Sequence, residues 1–197
     1  MYTYEQIKEY LETEIIENVV CVFKSGSELF CSNCNDYDYT IITKKSFGLV
    51  CKKIIELKTD LFIMSINELN EKLKNDNWRY KLCVCMAKAD NSNIIYGKLP
   101  TIDTDILSKE YLLKTMLIEY NFGKRTYFNN RPNKKPMVWG LALYYFITNN
   151  SFVLTETQKE NLQKCHDGLI DNDFIIKFYN DIEYLLFNNL KEEYGNN

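Results

Sequence analysis

The sequence predicts an α+β fold in which a small mixed β-sheet lobe is followed by a helical lobe. Short β-branched runs occur in the first half of the 197-residue chain, whereas apolar residues recur at helical spacing in the second half. Gly and Pro are scarce, with 7 and 3 residues, which argues against disorder and against a turn-rich β-sandwich. We predict a front lobe over residues 1–100 and a back lobe over residues 101–197, with their boundary within residues 90–104.

The front lobe is predicted to contain both helices and strands. A capping box at Thr3 and an apolar residue every fourth position predict a helix over residues 3–16. A second capping box at Ser65 predicts a helix that continues to Asn75. The run 49–57 is compatible with a helix or a strand, and we favour a helix, whereas residues 78–89 stay ambiguous. Strands are predicted at the β-branched runs 18–24, 37–43 and 58–65.

The back lobe is predicted to be helical throughout. Its apolar residues recur three and four positions apart, and a capping box at Thr155 begins one of the helices. The predicted helices span residues 105–120, 134–148, 155–168 and 173–190.

Composition and charge exclude several classes of protein. The formal net charge is −3, so binding of nucleic acid through overall charge is not expected. The polar N-terminus has no secretory pattern and no apolar run is long enough to span a membrane, so we expect a soluble, cytoplasmic protein without a membrane partner. The 7 cysteines are an odd number in a chain without an export signal, which disfavours paired disulfides. Abundant Asn, Lys, Ile and Tyr are typical of AT-rich coding genomes such as those of phages and viruses.

One stretch combines a turn for phosphate with a pair of carboxylates. Gly26 and Ser27 end a predicted strand, where backbone N–H groups and a hydroxyl can meet a phosphate. Asp36 and Asp38 lie two positions apart at the start of the next strand, so their side chains share a face. Asp60 begins a third apolar run, which can bring it beside Asp38. Carboxylates grouped near a phosphate are the ligands that Mg²⁺ prefers.

These residues resemble the pattern of the DNA polymerase β-like nucleotidyltransferase superfamily, and most closely its small phage and bacterial members. The resemblance covers residues 18–75 and implies a reaction that moves a nucleoside monophosphate from an NTP, such as ATP, to a hydroxyl, with release of pyrophosphate. The acceptor would be RNA or tRNA, a protein or a small molecule. The implied site comprises Asp36, Asp38 and Asp60 as catalytic ligands of Mg²⁺ or Mn²⁺, with Gly26 and Ser27 holding the triphosphate. Asp60 would also accept the proton of the attacking hydroxyl.

A basic and aromatic segment, residues 120–135, stands out in this acidic chain. It contains five cations, no acid and four interleaved aromatic rings, which suits triphosphate oxygens or a nucleic-acid backbone. The resemblance implies that Lys124, Lys134 and Lys135 contact the triphosphate. A solvated loop between helices explains the same composition equally well.

Three other interpretations stay open. Asp36 and Asp38 are also compatible with a turn and a solvated strand position. Cys31 and Cys34 form a C-x-x-C that, with Cys83 and Cys85, is compatible with zinc or redox chemistry, although the spacing suits neither well. The third alternative is a catalytically silent nucleotidyltransferase-fold binding module, such as an antitoxin-like or viral accessory protein. The base, the acceptor and the oligomeric state cannot be read from the sequence.

Overall fold

The chain divides into two compact units, Met1–Leu107 and Ser108–Asn197. The computed structural model describes residues 2–31, 36–75, 78–102, 107–128 and 134–194; the side chains of residues 126–128, 134 and 190–194 are excluded from the description. The first unit contains a mixed β-sheet with helices, and the described residues of the second unit are helical with short connections. The predicted α+β class, a small mixed sheet followed by helices, is therefore confirmed.

The first unit is built on a five-stranded mixed sheet. The strands are β1 (Val19–Ser25), β2 (Tyr37–Thr43), β3 (Val50–Ile54), β4 (Thr59–Ser65) and β5 (Ile94–Gly97). Their order across the sheet is β3-β4-β2-β1-β5. β2 and β4 are parallel, and the other neighbouring strands are antiparallel.

Helices cover both faces of this sheet. They are α1 (Tyr4–Lys8), α2 (Thr13–Ile16), α3 (Ile66–Lys74) and α4 (Trp78–Ala89). Apolar side chains of α1 and α2 pack with Tyr39, Ile41, Leu61 and Ile63 into one buried core. Because side chains alternate along a strand, the neighbours of these residues point to the opposite face, where α3 and α4 lie.

The predicted capping boxes are confirmed at the starts of α1 and α3. Thr3 and Gln6 exchange hydrogen bonds, and Ser65 and Glu68 do the same. The helix predicted over residues 3–16 is instead two short helices, α1 and α2, joined by a turn. No Gly or Pro marks this turn in the sequence.

Two parts of the front-lobe prediction are wrong. Residues 49–57, for which we favoured a helix, contain the strand β3, which lies at the edge of the sheet. Its residues Val50 and Ile54 pack into the core on the α1–α2 side rather than forming a helical stripe. The sequence also gave no signal for β5, four residues long, which pairs with β1 inside the predicted boundary 90–104.

The second unit is described as four helices. Helix α7 shows the predicted capping box between Thr155 and Gln158, and it ends at Gly168 in the left-handed conformation. Among the described residues, no helix combines the length and the apolar character needed to cross a membrane. The four helices are α5 (Lys109–Phe128), α6 (Lys134–Asn149), α7 (Glu156–Asp167) and α8 (Asn172–Tyr194).

Candidate active site

Three strand ends meet at one edge of the sheet in the first unit. β1 ends at Ser25, whereas β2 and β4 begin there because they run antiparallel to β1 and parallel to each other. Ser25 pairs with Asp38, and Asp38 pairs with Asp60. Paired residues point to the same face, and neighbouring strands lie about 4.8 Å apart, so these three side chains stand in one row. The structure thus brings together two of the three predicted carboxylates.

The turn after β1 packs directly against the central carboxylate. Gly26 has φ of +73°, and a Cβ atom built on it would lie 2.0 Å from Oδ2 of Asp38. Only glycine fits this contact, because any side chain would take the space of the carboxylate. Gly26 begins a short 3₁₀ helix, Gly26–Leu29, in which the carbonyl of Ser27 accepts hydrogen bonds from the N–H groups of Phe30 and Cys31 at 3.0 and 2.9 Å. The partly exposed Ser27 directly follows the glycine that contacts Asp38.

Asp36 lies outside the strand ladder. It is exposed and precedes β2, and the next residue is held by a hydrogen bond from the N–H of Tyr37 to the carbonyl of Lys58. In the part of the chain that the structure describes, no group of three or more His, Cys, Asp or Glu side chains is arranged to hold a metal. The predicted role of Asp36 therefore stays a prediction.

A magnesium ion nevertheless fits the carboxylate pair. Mg²⁺ in nucleotide sites is commonly held by one or two carboxylates, with phosphates and water completing its coordination. Asp38 and Asp60 provide two carboxylates in direct register on neighbouring strands. The close approach of Gly26 to the Asp38 carboxylate puts the turn after β1 next to the pair. The donor chemistry of these residues thus suits a divalent cation bound together with a phosphate.

A buried carboxyl group, which the sequence did not single out, lies in the same turn. Glu28 is buried, and its Oε1 accepts a hydrogen bond of 3.0 Å from the hydroxyl of Tyr39. That hydroxyl accepts a hydrogen bond of 3.1 Å from the backbone N–H of Tyr2. Burial raises the pKa of Glu28 to about 7; the hydrogen bond from Tyr39 and the charge of Lys24 oppose this rise, and the charge of Asp38 adds to it. The Oε2 atom has no hydrogen-bond partner among the described residues.

Two side chains of α4 border the carboxylate face. Burial raises the pKa of the Cys83 thiol to about 12, with a hydrogen bond from Gly26 opposing the rise and the charge of Asp38 adding to it. Burial likewise raises the pKa of Tyr80 to about 12, with smaller contributions from Cys83, Cys51 and Asp38. Both groups therefore stay protonated at neutral pH, and Cys83 is not an activated nucleophile.

The cysteines do not form a metal centre in the described residues. Cys31, Cys83 and Cys85 are buried and form no disulfide, and they belong to no group of three or more potential metal ligands there. Burial raises the pKa of Cys85 to about 11, which disfavours the reactive thiolate that redox chemistry needs. Cys34 lies outside the described residues, so the C-x-x-C as a pair stays untested.

The predicted triphosphate lysines belong to the second unit. Nζ of Lys124, on α5, lies 2.6 Å from Oε1 of Glu183 and 2.7 Å from the hydroxyl oxygen of Tyr120. The hydrogen bond to Glu183 raises the pKa of Lys124. Tyr120 and Glu183 are hydrogen bonded to each other as well. Lys135 is exposed in the first turn of α6, whereas the side chain of Lys134 lies outside the description. The contact of these lysines with a triphosphate stays a prediction.

Comparison with known proteins assigns no family to this chain. No protein-family model matches the chain, and no curated protein matches it either. Among solved structures the chain is similar to a nucleotidyltransferase-like protein from Exiguobacterium sibiricum, with a TM-score of 0.32 and 12% identity, over 95% of this chain and 76% of the other. Both values are too low to assign a function, which is therefore inferred from the residues and strand register of the first unit.

Proposed function

We propose that the chain is a metal-dependent nucleotidyltransferase that moves a nucleoside monophosphate from an NTP to a hydroxyl acceptor. The observation that carries this proposal is the register of Asp38 and Asp60 on parallel strands, with Gly26 packed on the Asp38 carboxylate. Two carboxylates in register beside a glycine turn are donors well suited to a cation bound together with a phosphate.

In the proposed reaction, the turn after β1 and the two carboxylates have different roles. Ser27 and the turn hold the triphosphate, and Asp38 and Asp60 hold Mg²⁺ or Mn²⁺, which would neutralise charge that develops on the phosphates. The oxygen of the acceptor hydroxyl attacks the α-phosphorus, and the bond from that phosphorus to the bridging oxygen of the β-phosphate breaks. Pyrophosphate leaves with the electron pair of that bond. Asp60 accepts the proton of the hydroxyl and returns it to water.

The test follows an NTP labelled on its α-phosphate, using each of the four nucleotides with Mg²⁺ or Mn²⁺. Wild type should release pyrophosphate and transfer label to host RNA, host protein or an added small molecule. Asp38→Asn should lose transfer at least 100-fold, as expected when a group that binds the transition state is removed. Glu12→Gln is the matched control, because Glu12 is an exposed carboxylate on the α1–α2 side of the sheet. Transfer that survives Asp38→Asn would contradict the proposal.

The second candidate is a catalytically silent binding module with the same sheet. It is favoured by one observation, that the described residues gather no group of three potential metal ligands. This candidate predicts no transfer with any nucleotide and no metal-dependent binding of NTP. The same experiment separates the two candidates when it includes NTP binding measured by equilibrium dialysis with and without Mg²⁺.

A further inference from the structure

A lysine lies beside the carboxylate pair on the outer strand of the sheet. In the β3–β4 ladder Lys53 pairs with Asp60, so both side chains point to the same face. Lys53 is exposed, and within the described part of the chain neither Lys53 nor Asp60 has a side-chain hydrogen bond or ion pair. The row therefore runs from Ser25 through Asp38 and Asp60 to Lys53, and it ends in a cation that is open to solvent.

The order of the side chains in this row distinguishes a triphosphate side of the proposed site from an acceptor side. The turn at Gly26 adjoins Asp38 from the β1 side, so the triphosphate belongs there. Asp60 lies on the other side of Asp38, and in the proposed reaction it faces the attacking hydroxyl. Lys53 is one strand further out, where it would meet the part of the acceptor next to that hydroxyl. A lysine ammonium group at such a position is a binding group for phosphate.

Helix α4 adds an aromatic ring to the acceptor side. Tyr80 packs edge-on against Phe62, with ring centres 6.4 Å apart, and Phe62 shares the face of Asp60 because it lies two residues along β4. The ammonium group of Lys72 lies 4.7 Å from the centre of the Tyr80 ring. The acceptor side thus combines an exposed ammonium group with an aromatic ring and a second cation, which suits a phosphorylated compound better than a neutral one.

Building on the proposed function, we propose that the acceptor is a hydroxyl compound with a phosphate close to its attacking hydroxyl, and that Lys53 binds this phosphate. Two sources share this chemistry, the 3′ end of a nucleic-acid strand and a small phosphorylated alcohol. Lys53 is thus a specificity-determining residue on the acceptor side, and it has no part in holding the NTP.

The experiment measures transfer from labelled NTP to two phosphate-bearing probes and their neutral counterparts. The probes are a single-stranded RNA dodecamer, compared with uridine, and glycerol 3-phosphate, compared with glycerol; the preferred probe identifies the source. Lys53→Met should raise the KM of that probe about tenfold and leave the KM of the NTP unchanged, since one charge-assisted hydrogen bond is lost. Lys53→Arg should restore most of the affinity.

Lys52→Gln is the matched control on the same strand. Lys52 points to the opposite face, where its ammonium group donates a hydrogen bond to the carbonyl of Tyr10, so the KM of the acceptor should not change. Equal transfer to neutral and phosphorylated probes, or an unchanged KM in Lys53→Met, overturns the acceptor assignment alone. Metal-dependent NTP binding without transfer to either phosphorylated probe overturns it too. Absence of both NTP binding and transfer overturns the proposed function together with the acceptor assignment.

Discussion

Replacing Gly26 with alanine should destabilise the first unit by about 2 to 5 kcal/mol and displace the carboxylate of Asp38. The added Cβ would lie 2.0 Å from Oδ2 and 2.9 Å from Cγ of Asp38, so the carboxylate must move. The φ of +73° adds a backbone strain of about 1 to 2 kcal/mol for any residue with a side chain. Forced repacking of a crowded contact adds about 1 to 3 kcal/mol. Metal-dependent NTP binding should weaken in the same variant.

Gly48→Ala isolates the backbone part of this effect. Gly48 has φ of +76°, close to that of Gly26, but a Cβ built on it meets nothing within 4 Å. Its replacement should therefore cost only the strain of about 1 to 2 kcal/mol. The difference between the two alanine variants measures the clash with Asp38.

A double-mutant cycle with Asp38→Ala assigns the clash to its partner. That change removes Cγ and the carboxylate and leaves Cβ of residue 38, which is 3.1 Å from the added methyl group. Gly26→Ala should then cost little more than Gly48→Ala, which gives a coupling energy of about 1 kcal/mol or more between Gly26 and Asp38.

Urea denaturation followed by tryptophan fluorescence provides the measurement. The chain has 2 tryptophans, and only Trp78 belongs to the first unit, so a Trp139→Phe background reports that unit alone. Equal destabilisation by Gly26→Ala and Gly48→Ala, with no coupling to Asp38, would refute the close contact and the phosphate turn inferred from it.

Two further predictions concern the charges of the site. Asp60→Asn removes one ligand of the proposed cation site, so it should abolish the stabilisation of the first unit by Mg²⁺; melting curves with and without Mg²⁺ check this, and equal Mg²⁺ stabilisation in both proteins would contradict it. The pKa of Glu28, about 7 when folded against an ordinary 4.5, means that the folded chain keeps a proton which the unfolded chain has released. Stability should therefore fall as pH rises from about 4.5 to about 7 and then level off, by about 3 kcal/mol in total. Glu28→Gln should flatten this slope in urea titrations at several pH values, and an unchanged slope would show that Glu28 is not the group responsible.

Local signals predicted most of the fold correctly. Each capping box depends on a side chain and a backbone group three residues apart, so Thr3, Ser65 and Thr155 could be read directly. Helix α4 stayed ambiguous because residues Lys81–Ala87 are all buried, which removes the polar positions that reveal a period. The strand β5 is short and depends on pairing with β1, which no local pattern records.

Sequence reasoning missed Lys53 because residues 49–57 were interpreted with the period of a helix instead of that of a strand. Residues 49–57 carry apolar side chains at positions compatible with a helix, and under that interpretation Lys53 has no relation to Asp60. Only the antiparallel pairing of β3 with β4 brings the two side chains to the same face. The sequence analysis also did not identify Glu28, because its burial depends on tertiary packing and no local sequence pattern distinguishes a buried glutamate from an exposed one.

The register that builds the core also fixes the carboxylate row. Leu61 and Ile63 on β4 are fully buried in the core formed with α1 and α2, and Tyr39 and Ile41 on β2 are equally buried there. A slip of one residue would move these side chains to the opposite face of the sheet and would turn a carboxylate of the row towards the apolar core, which is unfavourable for a charged group. The apolar residues therefore hold Asp60 opposite Asp38. The register on which the proposed cation site depends is thus set by the packing of the core on the other face of the sheet.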